Sequence, residues 1–207
     1  MKQGPHHLGT VNLLPYDGVA TYHGRILADE EAWSHYNTLL YTIPWQHDEL
    51  VIFGKHIITA RQVAWHGDPG LAYTYSGSTK QPLPWTKELL ELKALAEQHT
   101  GLAFNSCLLN LYHDGSEGMG WHSDDEKTIA PKSGIASLSF GAERKFAFRH
   151  KQTKETVPIL LEHGSLLLMA GTTQAHWHHR LPPTKKINTP RINLTFRTML
   201  PASGSPA

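Results

Sequence analysis

Beyond residue 102 the chain is cut into short runs of apolar or alternating residues separated by glycine and proline, and few folds accept that pattern. The runs cover 103–112, 135–140, 144–150, 157–161, 164–169 and 191–197. Each has strand length and strand composition. Ahead of them stand two helix-like stretches. The first runs from Asp29 to Tyr41, with Asp29 placed to cap it, Glu30 and Glu31 in its first turn, and Trp33, Tyr36 and Leu40 as its apolar stripe before Pro44. The second runs from Thr86 to Thr100, with Leu89, Leu92 and Ala96 on one face and Gly101 at its end. Many short strands after a helical start predict a mainly β fold with flanking helices, a sandwich or jelly roll.

With 207 residues, 40% of them hydrophobic, the chain can bury one substantial core. No repeat, low-complexity tract or linker divides it, so one domain is expected. The tail 201–207, PASGSPA, is expected to be disordered. The single cysteine, Cys107, lies in an apolar run and reads as a small buried hydrophobe. One cysteine makes no internal disulfide, which favours a reducing compartment. No apolar run is long enough for a membrane span, and MKQGPHHLGT lacks an apolar signal core. A cytoplasmic, nucleoid-associated or nuclear monomer is expected.

The net charge of +1 conceals an asymmetry: residues 1–126 hold 7 Lys and Arg against 15 Asp and Glu, and residues 127–207 hold 12 against 3. A basic half suits an anionic partner such as nucleic acid. Alone, it is more often the mark of a solvated surface.

Among 15 histidines, the informative group is WHSDDE at 121–126. In an extended segment, residues two apart share a side, so His122 and Asp124 can reach one cation together. A third ligand must come from elsewhere, and AHWHHRLP at 175–182 offers His176, His178 and His179. Two imidazoles and one carboxylate leave open positions, the arrangement of non-heme Fe(II) oxygenases. Zinc is the competitor, but paired cysteines and H-E-x-x-H are missing. A two-residue motif is weak by itself.

The segment PRINLTFR alternates strictly. Ile192, Leu194 and Phe196 face one way; Arg191, Asn193, Thr195 and Arg197 face the other. Its plain reading is a half-exposed strand with solvated arginines. Its chemical reading is a site for a dicarboxylate, because the guanidinium fork matches a carboxylate. Asn110 and Tyr112 in NLY repeat the two-residue spacing.

Taken in order, N110-L-Y112, H122-S-D124, His179 before R-L-P, and R191-I-N193-L-T195-F-R197 resemble the AlkB family of Fe(II)- and 2-oxoglutarate-dependent dioxygenases that dealkylate nucleic-acid bases. IASLSFGAERKFAFRHK at 135–151 and LEHGSLLLMAGTTQAHWHHRLP at 161–182 are also similar to that family. The resemblance covers about residues 50 to 198, while the first 45 residues match loosely. It implies a double-stranded β-helix dioxygenase core over 101–200, behind an N-terminal segment, 1–45, and a nucleotide-recognition lid and helix, 46–100. It assigns His122, Asp124 and His179 to iron, leaving His176 and His178 as supporting or surface residues. It assigns Arg191, Arg197, Asn193, Asn110 and Tyr112 to 2-oxoglutarate. Molecular oxygen is the third reactant, and no side-chain general base is needed.

The resemblance also implies a base flipped out of its stack. Tyr73 and Tyr75 in GLAYTYSG correspond to the lid, and Glu126 to an acidic residue that meets the lesion. A carboxylate favours a cationic base such as 1-methyladenine or 3-methylcytosine over the neutral normal base. VIFGKHIITARQVAWHGD at 51–68 resembles the relatives that act on duplex DNA, with Phe53 as the finger that fills the vacated stack and Arg61 as a phosphate or lesion-strand contact. Without the resemblance, these residues read as strand aromatics, a surface acid and a buried hairpin residue. The implied reaction removes N-linked alkyl groups from DNA as formaldehyde while 2-oxoglutarate becomes succinate and carbon dioxide. The alternatives are the same chemistry on RNA or on a protein.

Overall fold

The structure, a computed structural model, describes residues 11–52, 55–75 and 78–201, with side chains outside 48–57 and 73–80. Its elements in chain order are β1 (Val19–Arg25), α1 (Asp29–Thr42), β2 (Gln46–Ile52), β3 (Lys55–Gly67), β4 (Tyr73–Tyr75), β5 (Ser78–Lys80) and α2 (Lys87–Thr100). There follow β6 (Ser106–Tyr112), β7 (Met119–His122), β8 (Ile135–Gly141), β9 (Arg144–His150) and β10 (Thr156–Leu161). The last are β11 (Ser165–Ala170), α3 (Thr173–His176), β12 (Trp177–Leu181) and β13 (Arg191–Arg197). Phe53 and the tail beyond residue 201 lie outside the described residues.

Seven strands form a large sheet in the order β1-β11-β8-β13-β6-β3-β2, and four form a small sheet, β10-β9-β12-β7. β4 and β5 make a separate pair. Every described pairing of named strands is antiparallel. The order brings strands distant in sequence together, the jelly-roll arrangement that the strand-rich sequence led us to expect. Strands β1, β2 and β3, all from before residue 101, belong to the large sheet.

Burial on β13 follows its alternation. Ile192, Leu194 and Phe196 join Leu109, Leu111, Leu138 and Phe140 in a core closed on the outside by α1 and α2. Arg191, Asn193 and Thr195 are also buried, on the opposite face. The half-exposed reading of this strand is therefore corrected: β13 lies in the middle of the sheet, between β8 and β6, and is covered on both sides. A second apolar cluster, including Ile135, Phe148, Leu167 and Trp177, joins the two sheets.

Both helices form where the periodicity puts them. Thr86 caps α2 by accepting from the Leu89 N–H, and Gly101 ends it at φ 71°, a left-handed conformation that glycine adopts without a Cβ clash. Leu89, Leu92 and Ala96 are its buried residues, as predicted. Two details of α1 differ from expectation. Its N-cap is Ala28, so Asp29 sits in the first turn and pairs with Arg25 instead of capping. Its buried stripe is Ala32, Tyr36 and Leu39, rotated from the expected one. Trp33 is 46% exposed and lies against the His163 ring. The small Ala32 lets the helix approach the sheet more closely than Trp33 would.

Candidate active site

The small sheet places two imidazoles opposite one another. His122, the last residue of β7, pairs in register with His179 of β12, and their ring centroids are 4.2 Å apart. Asp124 follows two residues after His122, where the chain has left the strand. Its Oδ1 lies 3.7 Å from His122 Nε2 and 3.9 Å from His179 Nε2. All three ligand atoms fall within 4.8 Å of one another.

Each group is oriented by a neighbour. His122 Nδ1 is 2.8 Å from the Gly120 carbonyl, which fixes its proton on Nδ1 and leaves Nε2 as a bare lone pair. Asp124 accepts from Arg197 Nη2 at 2.7 Å on Oδ2, so Oδ1 is the oxygen turned to the imidazoles. The Asp124 N–H donates to Gln174 Oε1, tying the loop after β7 to α3. His179 is stacked against Phe146. Burial, only partly opposed by Asp124, pushes the His179 pKa down to about 3, so its ring is neutral at ordinary pH and able to ligate. Burial alone would raise Asp124, but Arg197, His179 and His122 outweigh it and hold the carboxyl below the usual range.

A second polar group lies on the inner face of β13. Arg191 is 2% exposed and donates from Nη2 to Ser139 Oγ at 2.9 Å and to Asn193 Oδ1 at 2.7 Å. Its Nε has no partner, and among the described residues no acid pairs with it. Its guanidinium lies over the Tyr112 ring at 5.6 Å. Burial lowers its pKa to about 10, which still leaves it cationic. Asn193 is fixed by Ser137 and Thr195. Asn110, opposite Asn193 across β6 and β13, has a buried Oδ1 without a partner. Arg197, also expected here, is committed to Asp124 through Nη2 while its Nε is unpartnered.

The residues assigned to substrate are less closely gathered. Arg61 is buried, with Nη1 3.3 Å from Sδ of Met119, the first residue of β7. Glu126 is half-buried and its Oε2 has no hydrogen-bond partner. Tyr73 and Tyr75 are the two ends of β4, which pairs with β5.

Sequence reasoning missed Gln174, Ser137 and Ser139, whose roles depend on partners far along the chain. It also missed Arg144. That side chain is 1% exposed and donates to the carbonyls of Asp114, Gly115, Glu117 and Pro182. It thereby holds the loop that delivers β7. Nothing in the local pattern marks an arginine at a strand start as a buried carbonyl clamp.

Residues 18–197 match the 2OG-Fe(II) oxygenase superfamily. DNA oxidative demethylase ALKBH2 of Mus musculus is 47% identical over 158 residues, covering 72% of this chain and 66% of that protein. Alpha-ketoglutarate-dependent dioxygenase alkB homolog 3 of Bos taurus is 43% identical over 182 residues, covering 83% and 63%. The chain belongs to the AlkB family of 2OG-Fe(II) oxygenases. It spans less than two thirds of the length of these two relatives. The solved structure of OsALKBH1 shares the fold, with a TM-score of 0.61 at 17% identity over 89% of this chain and 99% of that one.

The cofactors of the superfamily, iron(II) with 2-oxoglutarate and oxygen, fit the residues present. Two imidazoles and a carboxylate oxygen make a three-ligand set with positions left over, as non-heme iron requires. The buried Arg191, cationic yet without an acid partner, is the expected counterpart of a dicarboxylate end, because an unpaired buried charge is costly.

Proposed function

We propose that this chain oxidatively removes alkyl groups from the bases of DNA. The observation that carries the proposal is the conjunction of a buried His-Asp-His cluster with a buried, acid-free Arg191. Relatives named DNA oxidative demethylase and the basic half of the chain favour DNA as substrate. A DNA substrate puts the work in a nucleoid or nucleus.

In this reading His122, Asp124 and His179 hold iron, and Arg191, Asn193, Asn110 and Tyr112 hold 2-oxoglutarate. Bound iron and cosubstrate supply the oxidation that turns 2-oxoglutarate into succinate and carbon dioxide and releases the alkyl carbon as formaldehyde. The chain contributes positioning. Gly120 aims His122, Arg197 aims Asp124 and also faces the cosubstrate, and Phe146 and Phe148 pack on His179 and keep water from it. Glu126, with its carboxylate oxygen unpaired, attracts a cationic alkylated base, and Tyr73 and Tyr75 stack on it. Arg61 meets the lesion strand. Residues 46–100 contribute the nucleotide-recognition lid and a helix, and 101–200 the catalytic core.

The test is 2-oxoglutarate turnover by the whole chain, alone and with methylated or unmethylated DNA. Stimulation by methylated DNA alone is expected. His122→Ala, Asp124→Ala and His179→Ala should each abolish it with the circular dichroism unchanged, whereas His178→Ala should not. Stimulation only by methylated RNA, or by neither nucleic acid, overturns the DNA assignment.

A further inference from the structure

A second group of metal-ligating side chains lies outside the active site. Asp17, His150 and His176 offer a carboxylate oxygen and two ring nitrogens within 4.8 Å of one another. Asp17 belongs to the segment ahead of β1, His150 ends β9 and His176 ends α3. We propose that these three residues form a second divalent-cation site, suited to zinc, which ties the N-terminal segment to the element that leads into His179.

Spacing is the first support. His150 is 2% exposed, and its Nε2 lies 3.4 Å from Asp17 Oδ2 without making a hydrogen bond. A charge-assisted hydrogen bond would close to about 2.7–2.9 Å. Two ligands about 2.0–2.1 Å from a tetrahedral zinc stand about 3.3 Å apart. The gap thus fits a shared cation better than a direct bond. The active-site cluster shows similar separations, 3.7 and 3.9 Å.

Proton bookkeeping is the second. Glu155 Oε2 is 2.7 Å from Tyr16 Oη, and an ionised carboxylate only accepts, so the phenol donates there. Tyr16 then accepts from Thr153 Oγ1 at 2.8 Å. With that proton used, Thr153 Oγ1 keeps a lone pair 3.1 Å from His150 Nδ1. The Thr153 backbone N–H donates to the same Nδ1 at 3.1 Å, which keeps the ring proton on Nε2. A cation at Nε2 would move that proton to Nδ1, where the Thr153 hydroxyl can accept it, the outer-shell support typical of metal-bound histidine.

Access and surroundings complete the site. Asp17 is 53% exposed, which opens the cluster to solvent and leaves room for a water as fourth ligand. The rings of His150 and His176 are nearly parallel, at 7°, and Tyr16 and Trp177 wall His150 edge-on. The nearby Lys151 ammonium is turned away, toward the Gln174 carbonyl and Asp125.

The experiment is zinc uptake by the 207-residue chain after chelation, in a His122→Ala/His179→Ala background that dismantles the active-site cluster. One equivalent of zinc should still bind and raise the Tm. Cobalt(II) at the same site should give the visible absorption of a four-coordinate ion. Adding Asp17→Asn or His176→Gln should abolish uptake and the Tm gain while leaving the circular dichroism unchanged. These two residues are chosen because neither is as deeply buried as His150. No uptake in the background variant overturns the proposal, as does uptake that survives both added substitutions.

Discussion

Arg191 joins two effects that usually oppose each other. Its burial without an acid partner makes it a cost to the empty protein and an asset once a dicarboxylate arrives. Arg191→Met should therefore lose about 2–5 kcal/mol of 2-oxoglutarate binding, by analogy with buried charge pairs cut at one end. The Tm gain on adding 2-oxoglutarate should vanish with it. A thermal shift titration reads both; an unchanged shift would remove Arg191 from the cosubstrate site. His179 sets an acid-side limit on the metal-free protein. Its folded pKa, about 3, lies below the ordinary 6.5, so between those values the unfolded chain binds the extra proton. Stability is fully present above pH 6.5 and declines as pH falls toward 3. His66 and His163, also lowered by burial, act in the same direction. The midpoint of chelated protein should drop on acidification through that window, and His179→Gln should flatten the drop. At this scale the ligand types were legible because they cluster in short motifs. Choosing His179 over His176 and His178 took the family register, since all three lie within four residues of one another.

Among elements, β7 is the one whose placement depends most on distant chain. It has four residues and edges the small sheet, and the loop before it is held by Arg144 reaching four carbonyls. Arg144→Met leaves those acceptors short of donors, at about 1–3 kcal/mol for each one that stays buried. We expect a lowered Tm together with weakened metal binding, because the loop Arg144 holds leads directly into the strand that ends at His122; a lowered Tm with metal affinity intact would confine Arg144 to stability. This element also shows where reading the sequence stops. Both long helices and β6, β8, β9, β10, β11 and β13 announce themselves through periodicity and composition. β7, reading Met-Gly-Trp-His, and β12, reading Trp-His-His-Arg-Leu, do not. Their propensities are ordinary, and they become strands because each pairs with the other and β12 with β9. The two strands that carry His122 and His179 thus went unread, as did β1.

For the molecule as a whole, the proposed DNA substrate makes a further prediction about strand form. Phe53 lies outside the described residues, and its role as a wedge rests on the resemblance of the 51–68 segment. Extracting a base from a duplex carries an unstacking cost of a few kcal/mol that a single strand does not. Phe53→Ala should accordingly slow repair of methylated duplex far more than of methylated single strand, compared at fixed salt. An unchanged ratio of the two rates would discard the wedge. The pairing of His122 with His179 also bears on the whole molecule. Strand side chains alternate, so sliding β7 by one residue along β12 would swing His122 outward and Trp121 inward. The cluster can therefore be completed only by a barrel whose last edge is in register. On the proposed reading, a chain closed one residue out of step would lack one ligand of the iron site, so loading iron would report that the sheet has closed in register.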